Sequence, residues 1–193
     1  MFVRSNDGWE RRMSMETRMD VSDRKLRGTA IVFNAASLDL GGFTEYIAPE
    51  AVDRTLREGL DVRALIDHDT SKIIGRTKSG TLSLRKTRKG LEIEVDPPGT
   101  SYARDLMESV ERGDISGMSF GCRVLDDNWE MRDGQPVRTV LDMVISEVSA
   151  VSMPAYVQTD VMVAQRSLAQ FREDTKGRSL EMARRWHKSR IAR

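Results

Sequence analysis

Apolar and polar positions along the chain follow two different periods. The alternation of Leu91, Ile93 and Val95 in GLEIEV is the two-residue period of a strand with one buried face. TLSLRK precedes it across a turn at Thr87 to Gly90, so the pair predicts a half-buried hairpin. RGTAIVF, from Arg27 to Phe33, reads as a first strand, followed by a loop holding Gly41 and Gly42; DVRALID reads as another strand. Two stretches carry the helical period instead. PEAVDRTLREG opens on Pro49, sets Val52 and Leu56 one turn apart and stops at Gly59. In PPGTSYARDLMESVERGD, Tyr102, Leu106, Met107 and Val110 share one face, with Ser101 as the predicted cap and Gly113 as the stop. MSFGCRV, VRTVLDMVI and EVSAVSM predict three further β segments, the Asp133-Gly134 pair turning the chain between the first two. Residues 1 to 25 are dense in charge and methionine without either period. They predict an N-terminal arm outside the core, disordered or removed. Beyond Pro154 come a short apolar piece, VMVA, and an Arg-rich stretch in which Leu168, Phe171, Leu180, Met182 and Trp186 are loosely periodic and Gly177 makes a break. The expected organisation is an arm at 1–25, a domain at 26–163 and a basic helical tail at 164–193. The fold class is mainly β with flanking helices (α+β).

Composition narrows what such a domain can be. Of 193 residues 39% are hydrophobic and 32% charged, too apolar for wholesale disorder and too charged for a membrane bundle. No apolar run approaches the roughly 20 residues that span a bilayer, and the first residues lack the apolar segment of a secretory signal. A cytosolic protein is expected. One cysteine, Cys122, excludes an internal disulfide framework and a Cys-rich zinc site; two histidines, His68 and His187, leave little for a His-rich metal site. The net charge of +1 hides an asymmetry, because residues 164 to 193 hold nine Lys/Arg against three Asp/Glu and the rest of the chain is acidic. Such a tail can meet nucleic acid or an acidic protein surface. Only Phe171 and Trp186 interleave aromatics with that charge, which argues against nucleic acid.

His68 is the one histidine in the predicted body, and an unperturbed imidazole titrates near pH 6.5. A general base would have to be this residue. It ends an apolar strand in ALIDHD between Asp67 and Asp69; the bland alternative is a surface histidine among acids. For a nucleophile, Ser119 stands out in G-M-S-F-G, where a helix ends, a strand begins, and Gly117 and Gly121 would let a substrate backbone approach. This order is the reverse of the strand-to-helix nucleophile elbow. A serine hydrogen-bonded to a neighbour at a strand entry is the plain alternative. Serine needs a base, and the imidazolium so formed is helped by a third group. Glu147 is the candidate: in VISEVSAVSM strand alternation puts Ile145, Glu147 and Ser149 on one face. The alternative is an edge-strand glutamate facing water.

Taken in order, GGFTEYIAPEAVDRTL, then LIDHD followed by IGRT and SGTLSL, then GLEIEVDPPGTSYARDL, RGDISGMSFGCRV and SEVSAVSMPAY resemble the prohead serine proteases of tailed bacteriophages. The resemblance runs from Leu26 to Tyr156. That family is distantly similar to the herpesvirus assemblins, which implies an assemblin-like β-barrel protease fold with flanking helices. Residue by residue, the resemblance makes His68 the base, Ser119 the nucleophile and Glu147 the orienting acid, with Asp67 or Asp69 as competitors for that third place. It implies a phage endopeptidase that acts in the host cytoplasm, inside the procapsid. The substrates implied are the major capsid protein precursor or the scaffold protein, and the enzyme itself, with no cofactor. It also implies a homo-oligomer, with the assemblin dimer as precedent, and no membrane partner. A catalytically inactive assembly module of the procapsid is the alternative.

Overall fold

The computed structural model describes residues 8–14, 19–152 and 164–177. Ten strands divide into two sheets. The first sheet takes β1 (Glu10–Ser14), β9 (Gly117–Arg132), β10 (Gln135–Val151), β5 (Arg63–Ile66) and β6 (Asp69–Arg76) in that order, and β4 (Thr44–Ile47) pairs with the early part of β10. The second sheet runs β2 (Met19–Ser22), β3 (Lys25–Val32), β8 (Gly90–Val95), β7 (Leu82–Lys86). A 3-10 turn at Pro49–Val52 leads into α1 (Asp53–Arg57), and α2 (Ser101–Glu111) follows β8. A last helix, α3, spans 164–177.

The alternating residues of β8 do what their period predicts: Leu91, Ile93 and Val95 are buried. They meet Ile31 of β3 and the inward residues Met118, Phe120 and Val148 of the first sheet, with Val52 and Leu106 from the helical segments sealing the same core. Each such side chain contributes about 1.5–3 kcal/mol on burial. The Asp133-Gly134 hairpin forms as expected, both residues having positive φ (51° and 78°), the hallmark of a two-residue type I′ turn.

Several expectations are corrected. VRTVLDMVI and EVSAVSM are one strand, β10, interrupted by bulges rather than by a turn. The α2 cap is Thr100, one residue before the predicted Ser101. The strands β4, only four residues long, and β6, whose sequence DTSKIIGR lacks a two-residue alternation, were not legible as strands. Most consequential, residues 10–14 and 19–22 of the expected arm form β1 and β2, one in each sheet, and Glu10 and Arg12 are buried. Charge hid β1, because Glu10 and Arg12 find buried ionic partners. Nor does the expected assemblin-like barrel close among the described residues: the first sheet ends at β1 and β6, the second at β2 and β7. Residues 1–7, the segment from Met153 through most of VMVA, and the tail from Arg178 onward lie outside the described residues. The described part of the tail, α3, sets Ala164 and Leu168 against Leu40 and Phe43. Its Ser167 hydroxyl accepts the Trp129 indole N–H at 3.0 Å.

Candidate active site

The site is built on the central strands of the first sheet, on the face away from the core. Residues paired directly across antiparallel strands share a face. Ser119 of β9 pairs with Ser149 of β10, and Gly121 pairs with Glu147. In the parallel ladder on the other side of β10, Ser149 is opposite Leu65 of β5. Met118, Phe120, Val148 and Ala150, the intervening residues, point into the core.

A bulge aims the carboxylate. Ile145 pairs with Cys122 and Glu147 with Gly121, so β10 spends one extra residue, Ser146, against a single step of β9. Simple alternation, the basis of the sequence reading, would leave Ile145 and Glu147 on one face. The bulge separates them: Ile145 is 1% exposed in the core, while Glu147 turns out on the other face with Ser149. Gly121 supplies the room, because a Cβ there would lie 2.6 Å from Glu147 Oε1. The glycine therefore serves the carboxylate rather than the approach of a substrate backbone.

The imidazole arrives on the β5–β6 turn. Ile66 pairs with Asp69, leaving Asp67 and His68 as a two-residue loop with φ of 46° and 59°. Both residues sit in the left-handed region, a conformation that costs a side-chain-bearing residue about 1 kcal/mol or more and must be held by its surroundings. The Asp67 N–H donates to the Ala150 carbonyl at 2.9 Å, and the Asp67 carboxylate accepts the Ser152 N–H at 2.8 Å and its hydroxyl. The turn is thus stapled to the end of the strand that carries Glu147. His68 Nδ1 lies 2.7 Å from Glu147 Oε1, with both side chains about one-tenth exposed. An ionised carboxylate only accepts, so Nδ1 carries the proton, and in the neutral imidazole Nε2 then presents a lone pair. That Nε2 is buried and has no hydrogen-bond partner among the described residues. The other carboxylate oxygen, Glu147 Oε2, accepts the Ser149 hydroxyl at 2.5 Å.

Of the three residues singled out in the sequence, the fold joins His68 to Glu147 directly and places Ser119 on their face of the sheet. Ser119 is fully buried, and its hydroxyl donates to the Arg12 carbonyl of β1 at 2.8 Å. Asp67 and Asp69 do not take the third place: Asp67 holds the turn, and Asp69 accepts the Ser71 N–H and hydroxyl at 2.9 and 2.6 Å. Ser149 shares the face of Glu147 as alternation predicts, but its hydrogen bond and the bulge at Ser146 escaped sequence reading, since no pattern of residue types announces a bulge.

Cys122, next to Gly121, is no competing nucleophile. Burial pushes its thiol up to about 12, so the thiolate that reacts is absent near neutrality. Behind it, on the core side, lies a second polar group. Arg12 bonds Glu10 and, at 2.6 Å, Glu45, while Arg138 reaches Glu45 at 2.9 Å and Asp127 at 2.7 Å. Burial pushes the Glu45 carboxyl up, but Arg12 and then Arg138 outweigh it and hold it below the ordinary carboxylate range.

The chain matches the family described as Caudovirus prohead serine protease over residues 13–174. It belongs to that family. The match covers every residue of the site from Met13 to Ser152 and extends into α3. A serine peptidase of capsid maturation is thereby the general identity of this prohead protease. No curated relative and no solved structure matches the chain. Among the described residues of the prohead protease no helix is long and apolar enough to cross a membrane.

Proposed function

We propose that this prohead protease is a serine endopeptidase in which Ser119 is the nucleophile, His68 the general base and Glu147 the group that orients the imidazole. The observation that carries the reading is the 2.7 Å bond between His68 Nδ1 and Glu147 Oε1, which leaves a buried Nε2 with no partner among the described residues. In the reaction, the Ser119 hydroxyl turns from the Arg12 carbonyl to His68 Nε2 and gives up its proton as Oγ attacks the scissile carbonyl. The imidazolium, stabilised by Glu147, returns that proton to the departing amine. Water then enters and attacks the acyl carbonyl as it loses a proton to Nε2, and the carboxylic acid departs as that proton passes from Nε2 to Ser119 Oγ.

The substrates that fit the family are the capsid-protein precursor or the scaffold, and the enzyme itself, cut inside the procapsid in the host cytoplasm. The distant likeness to assemblins extends this reading to a dimer. A second reading, an inactive assembly module of the same shell, is favoured by one observation: Ser119 is 0% exposed.

Co-expression with the matching capsid-protein precursor separates the two. Wild type should process the precursor, and Ser119→Ala and His68→Ala should each lose orders of magnitude in rate while keeping the fold. Processing that continues undiminished in Ser119→Ala would overturn the endopeptidase reading.

A further inference from the structure

Glu147 is held at both oxygens, and only one of the two bonds belongs to the imidazole. Its Oε2 accepts the hydroxyl of Ser149 at 2.5 Å, and Ser149 is itself completely buried. Ser149 follows Glu147 by two on β10, on the same face, and pairs directly across the ladder with Ser119. On its other side it is opposite Leu65, one step before the residue that enters the His68 turn. One short side chain thus lies at the crossing of three strands that carry the nucleophile, the acid and the base.

We infer that Ser149 is a positioning residue of the protease, fixing the Glu147 carboxylate so that Oε1 aims at His68 Nδ1. The inference rests on the endopeptidase reading of Ser119, His68 and Glu147. Its physical basis is the freedom of a glutamate. The side chain has three rotatable bonds, and the bulge at Ser146 and the absence of a Cβ at Gly121 leave open space around Oε1. Space alone would let the carboxylate swing. A charge-assisted hydrogen bond on the second oxygen removes that freedom, as the outer partners of catalytic and metal-bound groups do elsewhere. Because Ser149 touches neither the imidazole nor Ser119 in the hydrogen-bond network, its contribution runs through Glu147.

The test compares Ser149→Thr with Ser149→Val in the full chain, using purified capsid-protein precursor at varied concentration as substrate. The two variants have nearly the same shape, and only threonine keeps the donor. Loss of a hydrogen bond to a charged group is expected to lower kcat by about 10- to 100-fold. KM should stay close to that of wild type, since no substrate contact is removed. Ser149→Thr should recover most of what Ser149→Val loses. Ser149→Ala, which adds no atoms to the strand, should behave as Ser149→Val does. A proton NMR spectrum supplies a readout independent of turnover: the downfield Nδ1–H resonance of His68 should be present in Ser119→Ala and lost or displaced when Ser149→Val is added. Equal kcat for the Thr and Val variants, or an Nδ1–H resonance that ignores Ser149→Val, would overturn the inference. Either result can stand beside a dead Ser119→Ala enzyme, which leaves the endopeptidase reading intact; an active Ser119→Ala enzyme removes that reading instead.

Discussion

Two polar clusters lie back to back across the same sheet, and they are built on opposite plans. On the core side Glu10, Arg12, Glu45, Asp127 and Arg138 tie β1, β4, β9 and β10 together with charges that answer one another. On the other face His68, Glu147 and Ser149 form a line rather than a ring, ending in a ring nitrogen with no partner among the described residues. The first arrangement shares each arginine among two or more carboxylates, with Glu10 Oε1 alone of the cluster's buried side-chain atoms lacking a hydrogen-bond partner among the described residues, and breaking a buried pair of that kind is costly. The second leaves the buried His68 Nε2 without a partner among the described residues, a costly arrangement for a polar atom. Burial of polar groups therefore takes two forms on the two faces of one sheet: several ion pairs joining four strands on one side, a short chain of hydrogen bonds on the other.

The contrast can be broken from either side. Arg138→Ala leaves Glu10, Glu45 and Asp127 with Arg12 as the remaining guanidinium of the cluster, and should cost about 3–5 kcal/mol of stability. Thermal unfolding checks this, with a drop of about 10 °C expected for a chain of this size. A change of a degree or two would mean that the network is ornamental.

Gly121→Ala is the matching perturbation of the other face. The new methyl carbon would sit 2.6 Å from Glu147 Oε1, and the obstacle is the free end of a side chain that can swing aside. The rate of precursor processing should fall tenfold or more, while stability changes by about 1 kcal/mol. A variant that processes normally would show that the aim of Glu147 is unimportant.

Acid separates the clusters by titration. The folded-state pKa of Glu45 lies below its ordinary value of 4.5, so in the window just below that value the unfolded chain binds more protons than the folded one. Stability contributed by Glu45 is complete above pH 4.5 and drains away as pH falls through the depressed folded value. Glu45→Gln should flatten that part of the profile, as read by urea unfolding at successive pH values. The smallest effect concerns Cys122: buried, with its thiol pushed up to about 12, it should resist iodoacetamide at pH 7.5, and the reagent should leave processing unchanged.

The sequence carried the core and the chemistry unequally. β8 and the Asp133-Gly134 turn were readable because period and turn type are local properties. His68, Ser119 and Glu147 were readable as candidates because few residues of the right type were available, and because their motifs follow one another in a family's order. β1 was not, since buried Glu10 and Arg12 look like a solvated arm until Glu45 and Arg138 arrive from elsewhere in the chain. The exchange of faces between Ile145 and Glu147 was hidden for a related reason. A single inserted residue reverses the face of everything beyond it, and Ser146 looks like any other serine.

The central claim is that His68 and Ser119 work as one device, served by the lone pair that Glu147 leaves free. Its most direct test is the processing rate of capsid precursor in Ser119→Ala, His68→Ala and the double variant, measured side by side in the full chain. Groups that act as a unit lose nearly everything once, so the double variant should be about as slow as the slower single. Losses that multiply, with the double variant slower by the product of the two, would mean that the imidazole and the hydroxyl act independently.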